Sequence, residues 1–155
     1  RVLSSLAMYD KAVEAYDQAL KGEINPDDKP ALASIWANKG VALWQLKQYP
    51  KALESTNKAI ELNPESFEGW YNQGVILVDL KKYSQALAAY DRANRISPNN
   101  VHVLTGRGIA LAGLSRYQDA IAAFEEALNI DPNYTLAQQN RDRVLRTLQV
   151  SEKSK

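Results

Sequence analysis

Asparagine recurs along the chain at an interval of 34 residues. Asn72 follows Asn38 by one interval, and Asn140 follows Asn72 by twice that interval. A carboxamide offers both a hydrogen-bond donor and an acceptor, so a row of such groups can pair with the main chain of an extended peptide whatever its side chains. The alternative is that each asparagine caps a helix or bonds a neighbouring one. The sequence leaves both roles open.

Apolar β-branched residues follow the same interval, at Val41, Val75 and Ile109. On a surface, such a stripe would form the floor of a groove that accepts apolar ligand side chains, with Trp44 and Tyr71 as its walls. The alternative is that neighbouring helices bury the stripe against each other. Both interpretations rest on the same three positions.

Catalytic chemistry has little support in the sequence. His102 is the only histidine, and the chain has no cysteine, no nucleophile elbow and no cluster with metal-ligand spacing. The pairs Asp27-Asp28 and Glu125-Glu126 are typical of a loop and of a solvated helix face. We therefore expect no enzyme activity, no metal site and no cofactor.

The same interval also relates a larger set of positions. It connects Trp36 to Trp70 and Leu104, Gly40 to Gly74 and Gly108, Tyr49 to Tyr83 and Tyr117, Ala52 to Ala86 and Ala120, Ala59 to Ala93 and Ala127, and Pro64 to Pro98 and Pro132. A period of about 34 residues is the signature of a helical repeat array. The complete units are 33–66, 67–100 and 101–134.

Each complete unit is predicted to form two helices joined by a short turn. In the first of them, Trp36, Gly40 and Leu43 recur at helical spacing and place one face of the first helix in the core. Glycine costs a helix about 1 kcal/mol relative to alanine, so glycines at one phase indicate a close helix contact. Ala52 and its equivalents are the expected partners in that contact.

The pattern is incomplete at both ends. A longer shift, which maps Tyr49 onto Tyr9, matches it to the N-terminal region, so 1–32 is expected to be a truncated first repeat with a six-residue insertion. The insertion forms a loop or lengthens the flanking helices, and Asp28 with Pro30 can start the next helix as its cap and first-turn residue. At the other end, residues 135–150 are predicted to form a capping helix with a polar outer face. Residues 151–155 are predicted to be a frayed tail.

Composition narrows the class of partner. The 155 residues include 19 Lys and Arg against 18 Asp and Glu, without a block of like charge. This balance argues against nucleic acid, which attracts a concentrated positive field. The apolar runs are far shorter than the roughly 20 residues that cross a bilayer, so no membrane insertion is expected. The absence of cysteine fits a cytoplasmic location without requiring one.

The recurring Trp, Gly, Tyr, Ala and Pro skeleton resembles the tetratricopeptide repeat, and the composition resembles that of bacterial members. The resemblance covers nearly all of the chain, as a single domain over 1–155. It implies an all-α fold, an α-solenoid of stacked antiparallel helix hairpins that form a right-handed superhelix. It also implies a concave groove, lined by the first helices, that binds a peptide or a segment of another protein.

Helical phase places that groove on the side of each first helix opposite the core stripe. The candidate groove residues are Asn38, Val41, Trp44, Gln45, Tyr71, Asn72, Val75, Asp79, Ile109, Asn140 and Arg143. Gly106 interrupts the asparagine row. Together with Gly113 it would leave a notch for a bulky ligand residue, or simply a looser helix.

One known binding mode of the family does not fit this sequence. Members that grip a chaperone's C-terminal carboxylate use Lys, Asn and Arg on the groove face. The matching positions here are Ala37, Val41, Glu68 and Gly106. We therefore expect no carboxylate clamp.

The leading functional hypothesis is a non-enzymatic adaptor that binds a peptide or protein segment. A second hypothesis is self-association or repeat stacking through the incomplete N-terminal repeat, where Leu3, Leu6 and Tyr9 would be partly exposed. A third is that the chain is the regulatory arm of a larger protein.

Overall fold

The computed structural model describes residues 2–153, without the side chains of Val2, Leu3, Ser4, Glu23 and Glu152. Within that range the chain forms eight α-helices and no β-strand, so the predicted all-α fold is confirmed. The helices are α1 (Val2–Gln18), α2 (Lys29–Gln45), α3 (Tyr49–Leu62), α4 (Phe67–Asp79), α5 (Tyr83–Ile96), α6 (Val101–Gly113), α7 (Tyr117–Ile130) and α8 (Thr135–Lys153). Contacts divide the chain into two compact units, Arg1–Ile76 and Leu77–Lys155.

The turn inside each complete repeat has one geometry. Lys47, Lys81 and Ser115 occupy the same position in successive repeats and have φ of 58°, 57° and 59°. After α2, the Gln48 amide donates to the Leu43 carbonyl at 2.9 Å, which satisfies a carbonyl that the helix end would leave unpaired. A left-handed residue therefore reverses the chain at the same phase of every complete repeat.

α1 covers most of the region that the sequence predicts to be a truncated first repeat. The shift that maps Tyr49 onto Tyr9 also places Ala7 where the complete repeats turn at Lys47. α1 passes through Ala7 without a break. Alanine favours the helix interior and avoids the left-handed conformation that the turn requires. The expected remnant of a first helix is therefore continuous with α1.

The insertion lengthens α2, in part the second of the two outcomes the sequence allowed. α2 has 17 residues where α4 has 13, a difference of four. α1 ends at Gln18 and is followed by a turn over Ala19–Glu23 in which Gly22, at φ 159°, is not helical. The predicted cap of α2 is confirmed, since Asp28 Oδ1 accepts a hydrogen bond from the Ala31 amide at 3.1 Å and a proline lies in the first turn.

The recurring glycines mark close helix approach, as predicted. A Cβ on Gly40 would lie 2.9 Å from Thr56 Cγ2, and one on Gly108 would lie 2.7 Å from Phe124 Cδ1. The Ala52 carbonyl oxygen is further from the Cβ on Gly40, at 3.3 Å. The steric demand is real, but it comes mainly from the Thr56 and Phe124 position rather than from the predicted alanine.

The second unit has a continuous core of small and aromatic side chains. Its buried members are Leu104, Leu111, Ala120, Ala123, Phe124, Ala127, Ala137 and Val144. α8 contributes the last two and packs on α7. It runs past its predicted end, so residues 151–153 are helical rather than frayed, and Ser154 and Lys155 lie outside the described residues.

In α8, a glutamine replaces the tryptophan of the repeat pattern. In α4, Trp70 Nε1 donates to the Pro64 carbonyl at 2.8 Å. Gln138 occupies the equivalent position in α8, and its Nε2 donates to the Pro132 carbonyl at 2.7 Å. The glutamine keeps the hydrogen bond and removes the apolar ring, which is what a helix facing water requires.

Polar pairs connect α2, α4 and α6 each to the second helix before it. In the first unit, Lys39 pairs with Asp17, and Gln73 Nε2 donates to Asn57 Oδ1 at 2.6 Å. In the second unit, Arg107 Nε donates to Asp91 Oδ1 at 2.7 Å, at the same repeat phase. These pairs are a regular feature that the sequence pattern did not predict.

Candidate functional site

A cleft of about 210 Å³ lies between α2 and α4 in the first unit. Its lining residues are Val41, Trp44, Tyr71, Asn72, Val75 and Ile76. We call it the α2–α4 cleft. Five of these six residues were candidates from helical phase alone, and the structure brings them together. Ile76 was missed because its phase turns it toward the core, where only 1% of its surface is exposed.

Local structure holds the aromatic walls of the cleft. Trp44 lies in the last turn of α2, where its carbonyl accepts from the Lys47 amide at 2.8 Å and so joins the chain-reversing turn. Tyr71 stacks on Phe67 one helical turn earlier, with ring centroids 5.9 Å apart and planes within 4°. Both walls therefore belong to helices, and Phe67 is a positioning residue for Tyr71.

The asparagine row divides into three different environments. Asn140 Nδ2 donates to the Leu136 carbonyl at 2.8 Å within its own helix, which is neither of the two roles that the sequence left open. Asn38 is exposed and does not line the cleft. Asn72 is half-buried, lines the cleft, and makes no side-chain hydrogen bond to another described residue. Asn72 is therefore the member of the row available to a ligand inside a cavity.

The apolar stripe also divides. Val41 and Val75 are half-buried and face the same cleft. Ile109 instead packs against the core of the second unit. The groove-floor interpretation therefore fits the first two positions, and burial against neighbouring helices fits the third.

The remaining candidates do not line the α2–α4 cleft. Gln45 is exposed at the end of α2. Asp79 and Arg143 are exposed in the second unit, on α4 and α8.

Tyrosine rings fill the space above Gly106 and Gly113, so of the two interpretations the ligand notch is excluded. A Cβ on Gly106 would lie 2.7 Å from Tyr90 Cε1, and one on Gly113 would lie 2.5 Å from the Tyr83 ring. The two glycines and the two tyrosines have the same spacing, on facing sides of α6 and α5. These glycines admit side chains of the chain itself.

His102 connects α6 to the segment before α8. Its Nδ1 lies 2.9 Å from Tyr134 Oη, and the rings meet edge to face with centroids 5.2 Å apart. Burial, and then the nearby Asp131 carboxylate, raise the pKa of the Tyr134 phenol. This pair has the geometry of an inter-helix contact.

Two other cavities are lined by charged side chains. One of about 650 Å³ lies between α1 and α3, where Trp36 is only half-buried and Lys39 Nζ is 4.8 Å from its ring centroid. The other, of about 340 Å³, includes Arg107 and Asp119 in the second unit. Their positions correspond in the repeat, so both are the ordinary groove between successive second helices.

Two other kinds of site are absent from the part of the chain that the structure describes. No group of three or more histidine, aspartate or glutamate side chains there is placed to hold a metal ion. No helix over residues 2–153 combines the length and apolar character needed to cross a membrane.

Helix hairpins at a fixed period, with a cleft between successive first helices, define a class of repeat protein. The sequence pattern of the tetratricopeptide repeat matches residues 33–66, 67–100 and 102–134. The matches cover more than half of the chain, which therefore belongs to the tetratricopeptide repeat family. The fold of this family is a protein-interaction scaffold.

Similar proteins agree with that assignment. A TPR repeat-containing protein of Methanocaldococcus jannaschii is 42% identical over 60 residues, which cover 38% of this chain and 9% of that protein. This chain thus matches only a small part of that relative's length.

Solved structures share the fold. The Arabidopsis OM64 TPR domain has a TM-score of 0.72 at 28% identity, over 75% of this chain and 96% of that one. The first TPR domain of Spaghetti (RPAP3), bound to the HSP90 peptide SRMEEVD, has a TM-score of 0.74 at 20% identity, over 77% and 94%. The second likeness shows the fold alone.

Proposed function

We propose that this chain is an adaptor or scaffold module that binds a segment of another protein on the first-helix face of α2 and α4. The observation that carries the proposal is the α2–α4 cleft, whose lining is predominantly apolar, carries no charged residue and includes the Asn72 amide. Cavities with apolar walls and a few placed polar groups are the usual form of a ligand site.

Three properties of the site support this function. The cleft is lined by residues of two regular helices, so binding would not require a loop to become ordered. Its walls are a tryptophan and a tyrosine, residue types enriched among binding hot spots. A solved structure of the same fold holds a peptide, which shows that the architecture is compatible with such a ligand.

The test is a screen of immobilised random peptides against the chain, followed by fluorescence anisotropy of each peptide that binds. The Val75→Glu variant places a carboxylate in the apolar cleft and should abolish binding. Val150→Glu is the matched control, because Val150 is 66% exposed on α8 and lies outside the cleft. It should bind as the wild-type chain does.

Two results would contradict the proposal. The first is a screen without any saturable binder. The second is a set of binders for which Val75→Glu and Val150→Glu are equivalent. Circular dichroism of both variants verifies that each is folded before binding is compared.

A second candidate function is self-association through α1. On this helix Leu6 is 37% exposed and Met8 is 70% exposed, whereas Tyr9 is half-buried and the Leu3 side chain lies outside the described residues. Multi-angle light scattering of the wild-type chain and of Met8→Ser distinguishes the candidates. A monomer at all concentrations would eliminate self-association.

A further inference from the structure

We infer that two copies of the chain associate through unlike surfaces: the basic face of α8 of one copy docks in the groove between α1 and α3 of the other. This groove is the cavity of about 650 Å³ in the first unit, and we call it the α1–α3 groove. The inference rests on self-association, the second candidate function, and names its partner surface. It does not depend on the α2–α4 cleft.

The rim of the α1–α3 groove carries acidic groups that the repeat does not need. Three exposed carboxylates line it, and none of them is paired with another described residue. They are Asp10, Glu14 and Glu54, and the equivalent positions in the second unit carry Ser84, Ala88 and Ala122. Of the two lysines in the lining, Lys39 is already paired with Asp17. The excess negative charge favours a cationic partner.

The floor of the groove is apolar and partly open to solvent. Val13, Trp36 and Leu46 line it and are half-buried. Leu6, which is 37% exposed, precedes Asp10 by about one helical turn and continues the same side of α1. Apolar side chains beside carboxylates favour a partner that presents both apolar and basic groups.

One side of α8 presents that combination. Its members are Leu136, Arg143, Arg146 and Val150. Leu136 and Val150 are 45% and 66% exposed, and neither arginine is paired with another described residue. The nearby Asp142 carboxylate is already paired with Arg141. A capping helix that only faces water does not need large apolar side chains beside its basic groups, so this face fits a partner surface.

The spacing of the groups predicts that the two helices dock antiparallel. In α1 the order is one apolar residue and then two carboxylates, over about 12 Å at about 1.5 Å per residue. In α8, taken from its C-terminal end, the order is one apolar residue and then two arginines, over about 10.5 Å. The predicted contacts are Leu6 with Val150, Asp10 with Arg146, and Glu14 with Arg143. Parallel docking, with Leu136 against Leu6, would instead place Asn140 against Asp10.

The test reverses the charges of each surface. Asp10→Arg with Glu14→Arg gives the groove variant, and Arg143→Glu with Arg146→Glu gives the α8 variant. In multi-angle light scattering, the wild-type mass should rise with concentration and return toward the monomer at high salt, because salt screens exposed charges. For each variant alone, the dissociation constant should rise by about tenfold or more, since like charges then meet.

Recovery of association gives a result that misfolding cannot imitate. An equimolar mixture of the two variants should associate again, because their reversed charges are complementary between copies. The chain with all four substitutions should also associate. Glu125→Arg is the control, since Glu125 is exposed on α7 and lies outside both surfaces, and it should behave as the wild type. The four substituted side chains are exposed, so circular dichroism should be unchanged.

The outcomes separate this inference from the functions proposed above. A wild-type chain that is monomeric at all concentrations would overturn both the inference and self-association, and would leave binding at the α2–α4 cleft standing. Association that the groove variant loses but the α8 variant keeps would show that α1 has a different partner surface, and would overturn the inference alone. Two variants that do not associate and do not recover on mixing would also overturn it.

Discussion

At the scale of single residues, one pair of positions accounts for the interrupted asparagine row. Gly106 occupies the place of Asn72 in the following repeat, and Tyr90 occupies the place of Thr56. The Tyr90 ring lies where a Cβ of residue 106 would be, so a large residue on α5 requires glycine on α6. The row is broken by core packing and not by a ligand.

This packing predicts a reciprocal stability effect. Gly106→Asn should lower the free energy of unfolding by about 1–3 kcal/mol, because an overpacked contact forces neighbouring groups to move. Tyr90→Thr alone should also destabilise the chain, because Tyr90 is buried, and the double variant, which recreates the residue pair of the preceding repeat, should lose less than the sum of the two single losses. Urea denaturation of the wild type, both single variants and the double variant measures the coupling.

A strictly additive double variant would show that Gly106 and Tyr90 do not depend on each other. A stable Gly106→Asn variant would show instead that the space above Gly106 is open, as the notch interpretation required.

At the scale of helices, the start of α2 shows how a short insertion is absorbed. The inserted residues extend α2 toward its N-terminus, and Asp28 caps the extended helix through the Ala31 amide. The first amides of a helix have no partner within it, so the cap determines where the longer helix begins.

Removing this cap should have a measurable cost. Asp28→Ala should lower the free energy of unfolding by about 1 kcal/mol, since the helix loses the acceptor for its first-turn amide. Asp28→Asn keeps an oxygen acceptor and should be close to the wild type. Asp27→Ala is the positional control, because the Asp27 side chain does not bond the start of α2. Equal losses at 27 and 28 would show that the cap does not stabilise α2.

Polar side chains also connect successive repeats. Lys39, Gln73 and Arg107 each reach the second helix of the preceding repeat, and their partners are Asp17, Asn57 and Asp91. The ion pairs are partly exposed, with side-chain exposures of 27% and 38% at Arg107 and Asp91, so each contributes little stability. Their regularity indicates a role in the register between successive repeats.

At the scale of the whole molecule, the residues at the positions of the carboxylate clamp predict that one class of ligand does not bind. Ala37 is 1% exposed and contributes nothing to the surface, while Glu68 presents a carboxylate. An acidic C-terminal peptide therefore finds no opposite charge on the first-helix face of the first unit. The Gly106 position is filled by Tyr90.

We accordingly expect no saturable binding of the peptide SRMEEVD in a fluorescence titration. The Spaghetti domain solved with this peptide is the positive control for the assay. Tight binding by the present chain would contradict the expectation and would require a cationic contact elsewhere on the molecule.

Much of the fold, and part of the candidate site, could be predicted from the sequence. The period predicted the helices, and helical phase selected Val41, Trp44, Tyr71, Asn72 and Val75, which meet in one cleft. Phase gives the direction of a side chain but not its neighbours, which is why Ile109 and Asn140 were selected although one packs in the core and the other bonds its own helix. The domain limits, the binding role of the selected residues and the location stay predictions.

The sequence by itself determined the repeat, its two-helix units, the steric need for Gly40 and Gly108, and the cap at Asp28, because these depend on local geometry and on a pattern repeated along the chain. Only the tertiary structure decided that α1 is continuous, that tyrosines fill the space above Gly106 and Gly113, and that Trp44 and Tyr71 enclose a cleft. These features depend on which side chains from different helices occupy the same volume. A linear pattern does not contain that information.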